Sequence, residues 1–168
     1  MSLGTDDTSS DSAVHIRLAA PDDAPVVANT LHASFVEYEP LYTPPGFAAT
    51  TPDAQQVLAR MREGPVWIAL RHIEVVGTVA AVVEDNSLYI RGMAVRPEAR
   101  RLKVGALLLD QAERFALEQG CSRVLLSTTP FLDAAIRLYE KAGFRRVQDG
   151  GHDLFGTPLF RMEKYIPR

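Results

Sequence analysis

A short basic segment between a predicted strand and a predicted helix contains the residues best suited to chemistry. The segment reads Arg100-Arg101-Leu102-Lys103, and Arg96-Pro97 precede it. Proline lacks a backbone N–H and restricts the residue before it, so we expect a strand over residues 88–95 to end there. A strand, a tight loop and a helix start together direct unpaired N–H groups and the helix dipole toward one point. These features favour capture of a polyanion such as a pyrophosphate.

The elements on either side of the basic segment must hold it in place. Residues 88–95 are largely apolar, as a buried strand requires. After the segment, residues at steps of three and four predict the apolar face of a helix: Val104, Leu107, Leu108, Gln111, Ala112 and Phe115. Gly120 is well placed to end that helix. The alternative is an ordinary strand–loop–helix unit whose basic side chains are only solvated.

The rest of the pattern is that of an α/β (α+β) protein. Residues 14–18 alternate like a half-buried strand, and Pro21-Asp22-Asp23 is typical of a helix start. Further strands are predicted over residues 66–70, 75–83, 123–128, 144–147 and 158–166, and further helices over residues 52–62 and 133–142. Residues 37–51 are rich in proline, so we predict an irregular loop there. The aromatic residues of this loop either line a small-molecule pocket or cover the core.

Composition indicates a soluble globular protein. The 168 residues are 46% hydrophobic and 23% charged, which suits one domain with a sizeable core. A net charge of −3 gives no reason to expect nucleic-acid binding, and no apolar run is long enough to span a membrane. A single cysteine, Cys121, excludes an internal disulfide and fits a reducing compartment. We expect a cytoplasmic protein without a metal site, with a disordered leader at residues 1–13 and one domain over residues 14–168. The oligomeric state stays open, a homodimer included.

Two motifs resemble those of the GNAT superfamily of N-acetyltransferases. Val95-Arg96-Pro97 followed by residues 100–105 is similar to the family's acyl-CoA-binding motif, Val-x-Pro and then Arg/Gln-x-x-Gly-x-Gly/Ala. Arg100 and Gly105 match its first and last positions, whereas Lys103 replaces the middle glycine. Residues 138–144, Leu-Tyr-Glu-Lys-Ala-Gly-Phe, resemble the Leu-Tyr-x-Lys-x-Gly-Phe signature that ends the family's fourth helix. The order of the predicted elements after the leader also matches the GNAT fold.

The resemblance implies a mixed, mostly antiparallel sheet of about seven strands flanked by about four helices, splayed between strands four and five. The pantetheine arm of acetyl-CoA would enter that gap and pair with the backbone of the fourth strand. The residues implied in cofactor binding are Met93, Ala94, Val95, Arg100, Arg101, Lys103, Val104, Gly105 and Ala106. In the family, a tyrosine at the position of Tyr139 often protonates the CoA thiolate. The alternative for Tyr139 is a core tyrosine whose hydroxyl is satisfied by the backbone.

The acceptor side is less defined in the sequence. The candidate pocket residues are Glu37, Tyr38, Tyr42, Glu84 and Tyr89. Glu37 is either a solvated residue or part of a site that attracts a cationic amine. No residue is an obvious general base. The candidates near the expected cleft are Glu37, Glu84, Asp85, Tyr89 and His152, and we expect His152 to be solvated. Leu132 stands where many family members have an asparagine that helps to hold the cofactor.

The resemblance implies an N-acetyltransferase that moves the acetyl group of acetyl-CoA to a primary amine by direct attack in a ternary complex. An alternative is a domain of the same fold that binds acyl-CoA as a sensor or interaction module without catalysis. The missing base and Lys103 favour this alternative, and Tyr139 disfavours it. An unrelated nucleotide binder would need a glycine-rich phosphate loop, which the sequence lacks.

Overall fold

The strands and helices follow the apolar segments of the sequence. The computed structural model of the protein describes residues 13–149 and 151–167. The strands are β1 (Val14–Leu18), β2 (Val66–Arg71), β3 (Glu74–Glu84), β4 (Ser87–Val95), β5 (Arg123–Thr128), β6 (Arg145–Arg146), β7 (His152–Leu154) and β8 (Thr157–Tyr165). The α-helices are α1 (Ala24–Phe35), α2 (Pro44–Thr50), α3 (Ala54–Glu63), α4 (Val104–Glu118) and α5 (Asp133–Lys141). Short 3-10 helices cover Pro21–Asp23, Val36–Leu41 and Pro97–Ala99.

The strands form an 8-stranded sheet in the order β1-β2-β3-β4-β5-β8-β6, with β7 paired to β8 off this path. Only β4 and β5 run parallel among the described strands, so the sheet is mixed and mostly antiparallel, as predicted. The strand that the sequence did not predict is β7. It forms a hairpin with β8 because Phe155 and Gly156 have φ of +49° and +95°, and two consecutive positive φ angles close a two-residue hairpin turn.

The predicted gap between the fourth and fifth strands is confirmed. β4 and β5 are paired only where Ser87 to Ile90 face Arg123 to Leu126, and β4 then continues alone to Val95. At the same point the pairing of β4 with β3 shifts, because Ala81 faces Ile90 while Ala80 faces Gly92. Arg91 is therefore the extra residue of a β-bulge, a feature that bends a strand and re-aims its side chains.

Two apolar clusters hold the helices against opposite faces of the sheet. Successive residues of β2 alternate between them: Trp67 and Ala69 pack in the cluster with α4 and α5, and Ile68 packs in the cluster with α1 and α3. The predicted apolar face of α4 is wrong at Leu107, which is 38% exposed, while Leu109 is buried. The sequence is apolar at both positions, and only the side of α4 that faces the sheet decides which of the two leucines is buried.

The prediction of an irregular loop over residues 37–51 is wrong, since this stretch forms a 3-10 helix and then α2. Pro44 and Pro45 occupy the first turn of α2, where a missing N–H costs nothing. Thr43 caps the helix, its Oγ1 accepting from the Gly46 N–H at 3.1 Å. The Thr43 N–H also donates to Thr157 Oγ1 at 2.9 Å, which fixes α2 to the β7–β8 hairpin. The described part of the chain thus has five α-helices, where about four were expected.

The predicted disordered leader lies outside the described residues except for Ala13, and it stays a prediction. None of the described helices has the length and apolar character needed to cross a membrane.

Candidate active site

A cavity of about 1260 Å³ occupies the gap between β4 and β5. One wall is the outer part of β4, residues 91–95, and the opposite wall includes residues 127–129 at the end of β5. Parts of the five α-helices and the end of β3 also line the cavity. Because sites for one drug-sized ligand measure roughly 300–1,000 Å³, the cavity has room for two small reactants side by side.

The edge of β4 that faces the cavity carries backbone groups without a strand partner. Residues 92–95 pair with β3 on one side and have left β5 on the other. Alternate N–H and C=O groups of a strand point to each side, so this edge can accept a ligand with amide groups as an added strand. Met93, Ala94 and Val95, predicted to bind the cofactor through their backbone, all line the cavity.

The start of α4 forms a second part of the wall. The chain turns through the 3-10 helix Pro97–Ala99 before α4 begins at Val104. The first turn of a helix offers unpaired N–H groups and the positive end of the dipole, which attract anions. The predicted cofactor residues of this region that line the cavity are Arg100, Lys103, Gly105 and Ala106. Arg101 is exposed outside the cavity, and the Val104 side chain is fully buried in the core, so these two side chains are not brought to the gap.

Arg100 is already paired within the protein. Its guanidinium forms an ion pair with Glu37, and its Nη2 donates to the Ser34 carbonyl oxygen at 3.2 Å. Ion pairs at this degree of exposure contribute little to stability, so a phosphate group that arrives in the cavity can compete for Arg100. Glu37, predicted as an acceptor-site residue, does not line the cavity. It lies beside the cavity and neutralises Arg100.

Lys103 has the left-handed conformation, with φ of +60° and ψ of +25°. A right-handed helical conformation would accept a lysine here without strain, but the structure does not have that conformation at position 103. The chain therefore keeps the backbone that favours the family's glycine but carries a side chain, and left-handed φ costs a residue with a Cβ about 1–2 kcal/mol. The exposed Lys103 side chain lines the cavity beside the start of α4, where it adds positive charge.

Substitutions at position 103 separate the backbone from the charge. Lys103→Gly and Lys103→Ala both remove the ammonium, but only glycine relieves the left-handed strain. We expect the glycine variant to have a free energy of unfolding about 1 kcal/mol above that of the alanine variant, because relief exceeds the entropy that glycine adds to the unfolded chain. Chemical denaturation measures the difference. Equal stabilities would show that the left-handed backbone of position 103 carries no strain.

The contribution of the ammonium is measured by ligand binding. If Lys103 contacts the 3′-phosphate of CoA, Lys103→Ala should weaken CoA binding by roughly 0.5–1 kcal/mol at low salt and leave dephospho-CoA nearly unaffected. An equal loss for both ligands would place the contact elsewhere. Tighter binding of both ligands by Lys103→Gly would instead mean that the side chain obstructs the loop.

Gly105 is buried where α4 meets α5. A Cβ placed on it would lie 2.6 Å from Leu138 Cδ2. A glycine at this position lets the start of α4 approach α5, so the last position of the first motif contacts the first position of the second. The two motifs that resemble the GNAT family thus meet at the wall of the cavity.

Tyr139 lines the cavity from α5 and is only 7% exposed. Burial raises the pKa of Tyr139 to about 12, and the nearby Tyr42 acts in the same direction. Its ring packs edge-on against Phe144, with the ring centroids 6.0 Å apart. No residue in the described part of the chain is hydrogen-bonded to the Tyr139 hydroxyl. The hydroxyl is therefore a neutral donor that is free to act on a ligand in the cavity.

An aromatic cluster, Tyr38, Tyr42 and Phe131, joins the two sides of the gap. Phe131 follows β5, and its ring centroid lies 4.9 Å from that of Tyr42 and 6.3 Å from that of Tyr38, which both precede α2. Tyr38 and Tyr42 line the cavity, so the pocket-lining alternative holds for both. Burial raises the pKa of Tyr42, and the nearby hydroxyl groups of Thr129 and Thr50 partly offset that effect.

Tyr89, Ser127 and His152 form a row of hydrogen-bonding groups from the cavity to the surface. The Tyr89 hydroxyl lies 3.4 Å from Ser127 Oγ, which lies 3.2 Å from His152 Nε2. His152 is exposed, as expected, but it belongs to β7 and contacts a residue of the cavity wall. Because each of these groups can both donate and accept a hydrogen bond, this row can carry a proton from the cavity to solvent. Glu84, also predicted, lines the cavity at the end of β3.

Charged residues that the sequence did not indicate line the acceptor side of the cavity. They are Arg60 and Glu63 of α3 and Arg91 of β4. Arg62 lies on the same helix as Arg60 but is exposed outside the cavity. The sequence pattern alone does not show which of the two arginines faces the cavity. Among the described residues no group of acidic, histidine or cysteine side chains could hold a metal ion.

This geometry is that of a known family. Residues 30–144 match the sequence model of the acetyltransferase (GNAT) family. The chain belongs to the GNAT family. The resemblance stated from the two motifs is therefore confirmed.

Curated relatives and solved structures agree with this assignment. The chain is 31% identical over 102 residues to the probable N-acetyltransferase camello of Xenopus laevis, covering 59% of this chain and 44% of that protein. It is 39% identical over 83 residues to the N-acetylaspartate synthetase of Danio rerio, covering 48% of this chain and 29% of that protein. The chain thus spans less than half the length of these relatives. The fold is similar to that of the PaiA N-acetyltransferase of Thermoplasma acidophilum in complex with coenzyme A, with a TM-score of 0.79, 18% identity and coverage of 92% and 99%.

Proposed function

We propose that this GNAT acyltransferase moves the acetyl group of acetyl-CoA to a primary amine by direct attack in a ternary complex. The observation that carries the proposal is the free edge of β4, which runs from the start of α4 past the Tyr139 side of the cavity. A ligand with a polyanionic end, two amide groups and a thioester matches this order of an anion site, a strand edge and a proton donor. The relative named N-acetylaspartate synthetase and the neighbour bound to coenzyme A support an amine acceptor and an acyl-CoA donor.

Residues at successive positions along the cavity have different roles in binding and catalysis. Arg100, Lys103 and the first turn of α4 bind the pyrophosphate, and the backbone of Met93 to Val95 orients the arm between the phosphates and the thioester. The amine nitrogen attacks the acetyl carbon, so a C–N bond forms as the C–S bond breaks. The Tyr139 hydroxyl gives its proton to the departing thiolate. The proton released by the amine leaves through Ser127 and its neighbours or through water, and a proton from solvent restores the Tyr139 hydroxyl.

The alternative of a non-catalytic acyl-CoA sensor differs in one respect. A sensor would bind acyl-CoA through the same wall but would not need an unpaired hydroxyl next to the thioester. The free Tyr139 hydroxyl therefore favours catalysis.

Two measurements in series test the proposal. Acetyl-CoA should bind with a dissociation constant in the micromolar range and raise the melting temperature, because a ligand that binds only the folded state stabilises it. Release of free CoA with a panel of primary amines then measures transfer. Binding without transfer to any amine would favour the sensor, and the absence of heat and of a thermal shift at millimolar acetyl-CoA would refute both.

A further inference from the structure

The charged residues on the acceptor side of the cavity are unequally paired. Arg91 forms an ion pair with Glu63, so these two charges neutralise each other. Arg60, one turn before Glu63 on α3, has no carboxylate partner among the described residues. Its one contact with a protein acceptor is from Nη2 to the Ala49 carbonyl oxygen at 3.4 Å. A guanidinium has five N–H donors, so most of the donors of Arg60 are left for a ligand.

The guanidinium of Arg60 lies against the middle of the cavity wall. A Cβ placed on Gly92 would lie 3.1 Å from Arg60 Nη1, so the tip of the side chain rests on the strand just after the bulge at Arg91. Arg60 is partly buried and lines a small pocket together with Val57 and Leu31. These surroundings limit the directions that the side chain can take before any ligand arrives.

The position of Arg60 is unfavourable for an isolated cation. Burial lowers the pKa of Arg60, and the positive charge of Arg91 lowers it further. Both effects reflect a charge that has lost water without gaining an anion, and such a charge is stabilised by a carboxylate that binds it. Arginine stays protonated at neutral pH in spite of these effects. Arg60 is thus a partly buried cation that can bind an anionic group in the cavity.

The phosphates of CoA are not suited to fill this position. In the proposed binding mode they lie at the start of α4, beyond Val95. Gly92 is three residues back along β4, and at about 3.3 Å per residue it is roughly 10 Å away. The part of CoA between phosphates and thioester is uncharged. An anion at Arg60 must therefore belong to the second reactant.

We propose that Arg60 binds a carboxylate of the acceptor, so that the acceptor is a small molecule with both a primary amine and a carboxylate, such as an amino acid. This inference rests on the proposed function. A planar guanidinium matches a carboxylate with two parallel hydrogen bonds, which fixes orientation as well as position. Glu84, which also lines the cavity, has the sign of charge that suits the amine end. The aromatic cluster joins the two sides of the gap, and its Tyr42 lies near Tyr139, which favours a small acceptor over a protein surface.

The experiment compares acceptors that differ only in the carboxylate. Amino acids and their amides are offered to the enzyme, and kcat/KM is measured for each at saturating acetyl-CoA. We expect the acid of the best pair to exceed its amide by at least tenfold. Arg60→Met keeps an unbranched stem and removes the charge, so the preference should fall to near unity while KM for acetyl-CoA stays unchanged. Arg62→Met, on the exposed side of the same helix, is the matched control and should keep the preference.

A second readout separates this inference from the proposed function. Calorimetry measures binding of the acids to the protein saturated with CoA, which requires no transfer. Binding that Arg60→Met weakens ten- to a hundredfold supports the inference even if no acetyl group is transferred. No binding of any acid, or a preference that survives in Arg60→Met, overturns it. If Arg60→Met does not fold, Arg60→Lys takes its place, and it should retain the charge but lose several-fold in affinity because lysine cannot form the paired contact.

Discussion

Replacement of Tyr139 by phenylalanine is expected to lower kcat roughly ten- to a thousandfold. The hydroxyl would give its proton to the thiolate only as the C–S bond breaks, so its loss should appear in the transition state and not in binding of acetyl-CoA. Because burial raises the pKa of Tyr139 to about 12, the hydroxyl stays protonated through the neutral and mildly alkaline range. Ionisation of this hydroxyl should therefore not lower kcat at any pH below about 11.

The same variant distinguishes a catalytic hydroxyl from a structural one. The Tyr139 hydroxyl is hydrogen-bonded to no described residue, so Tyr139→Phe should leave the melting temperature unchanged or slightly raised. A structural hydroxyl would instead cost about 1 kcal/mol on removal. Tyr165→Phe is the control, since Tyr165 is 55% exposed and outside the cavity. Full turnover by Tyr139→Phe would exclude proton donation by this residue.

A glutamate at position 106 is expected to raise KM for acetyl-CoA by roughly ten- to several-hundredfold. Ala106 is exposed, lies in the first turn of α4 and lines the cavity. A carboxylate there would repel the pyrophosphate at close range. The repulsion costs about 1 kcal/mol if the dielectric constant is that of water and about 4 kcal/mol if it is that of a protein surface. The same carboxylate stabilises the helix by about 0.3–1 kcal/mol, because it complements the dipole. Binding and stability should therefore change in opposite directions.

The control for this prediction is the next residue. Leu107 is in the same turn and 38% exposed, but it does not line the cavity. Leu107→Glu adds the same charge to the helix and should change KM for acetyl-CoA less than threefold at physiological salt, because water and ions screen a charge that faces solvent. Calorimetric titration and thermal unfolding of both variants measure the two effects. An unchanged affinity in Ala106→Glu would move the anion site away from the start of α4.

The errors of the sequence-based prediction have a common physical origin. The prolines of residues 37–51 argued against regular structure, yet Pro44 and Pro45 fit the first turn of a helix because the Thr43 cap satisfies the turn around them. Leu107 and Leu109 are equally apolar, and the direction of the sheet chose between them. In each case, contacts from another part of the chain selected one of several locally acceptable conformations.

The sequence by itself determined the order of the elements and the two motifs that contain Tyr139 and Gly105. The elements and motifs depend on patterns within a few residues of one another, such as an apolar repeat, a proline after a strand or a glycine at a helix end. The gap between the fourth and fifth strands was expected only because the motifs resemble those of the GNAT family. Only the tertiary structure decided that Arg100 faces Glu37, 63 residues away, that Lys103 is left-handed and that Arg60 has no carboxylate partner among the described residues. Whether a charge is paired depends on groups that are distant in the chain and adjacent in space. Local sequence patterns do not show which distant residues become neighbours.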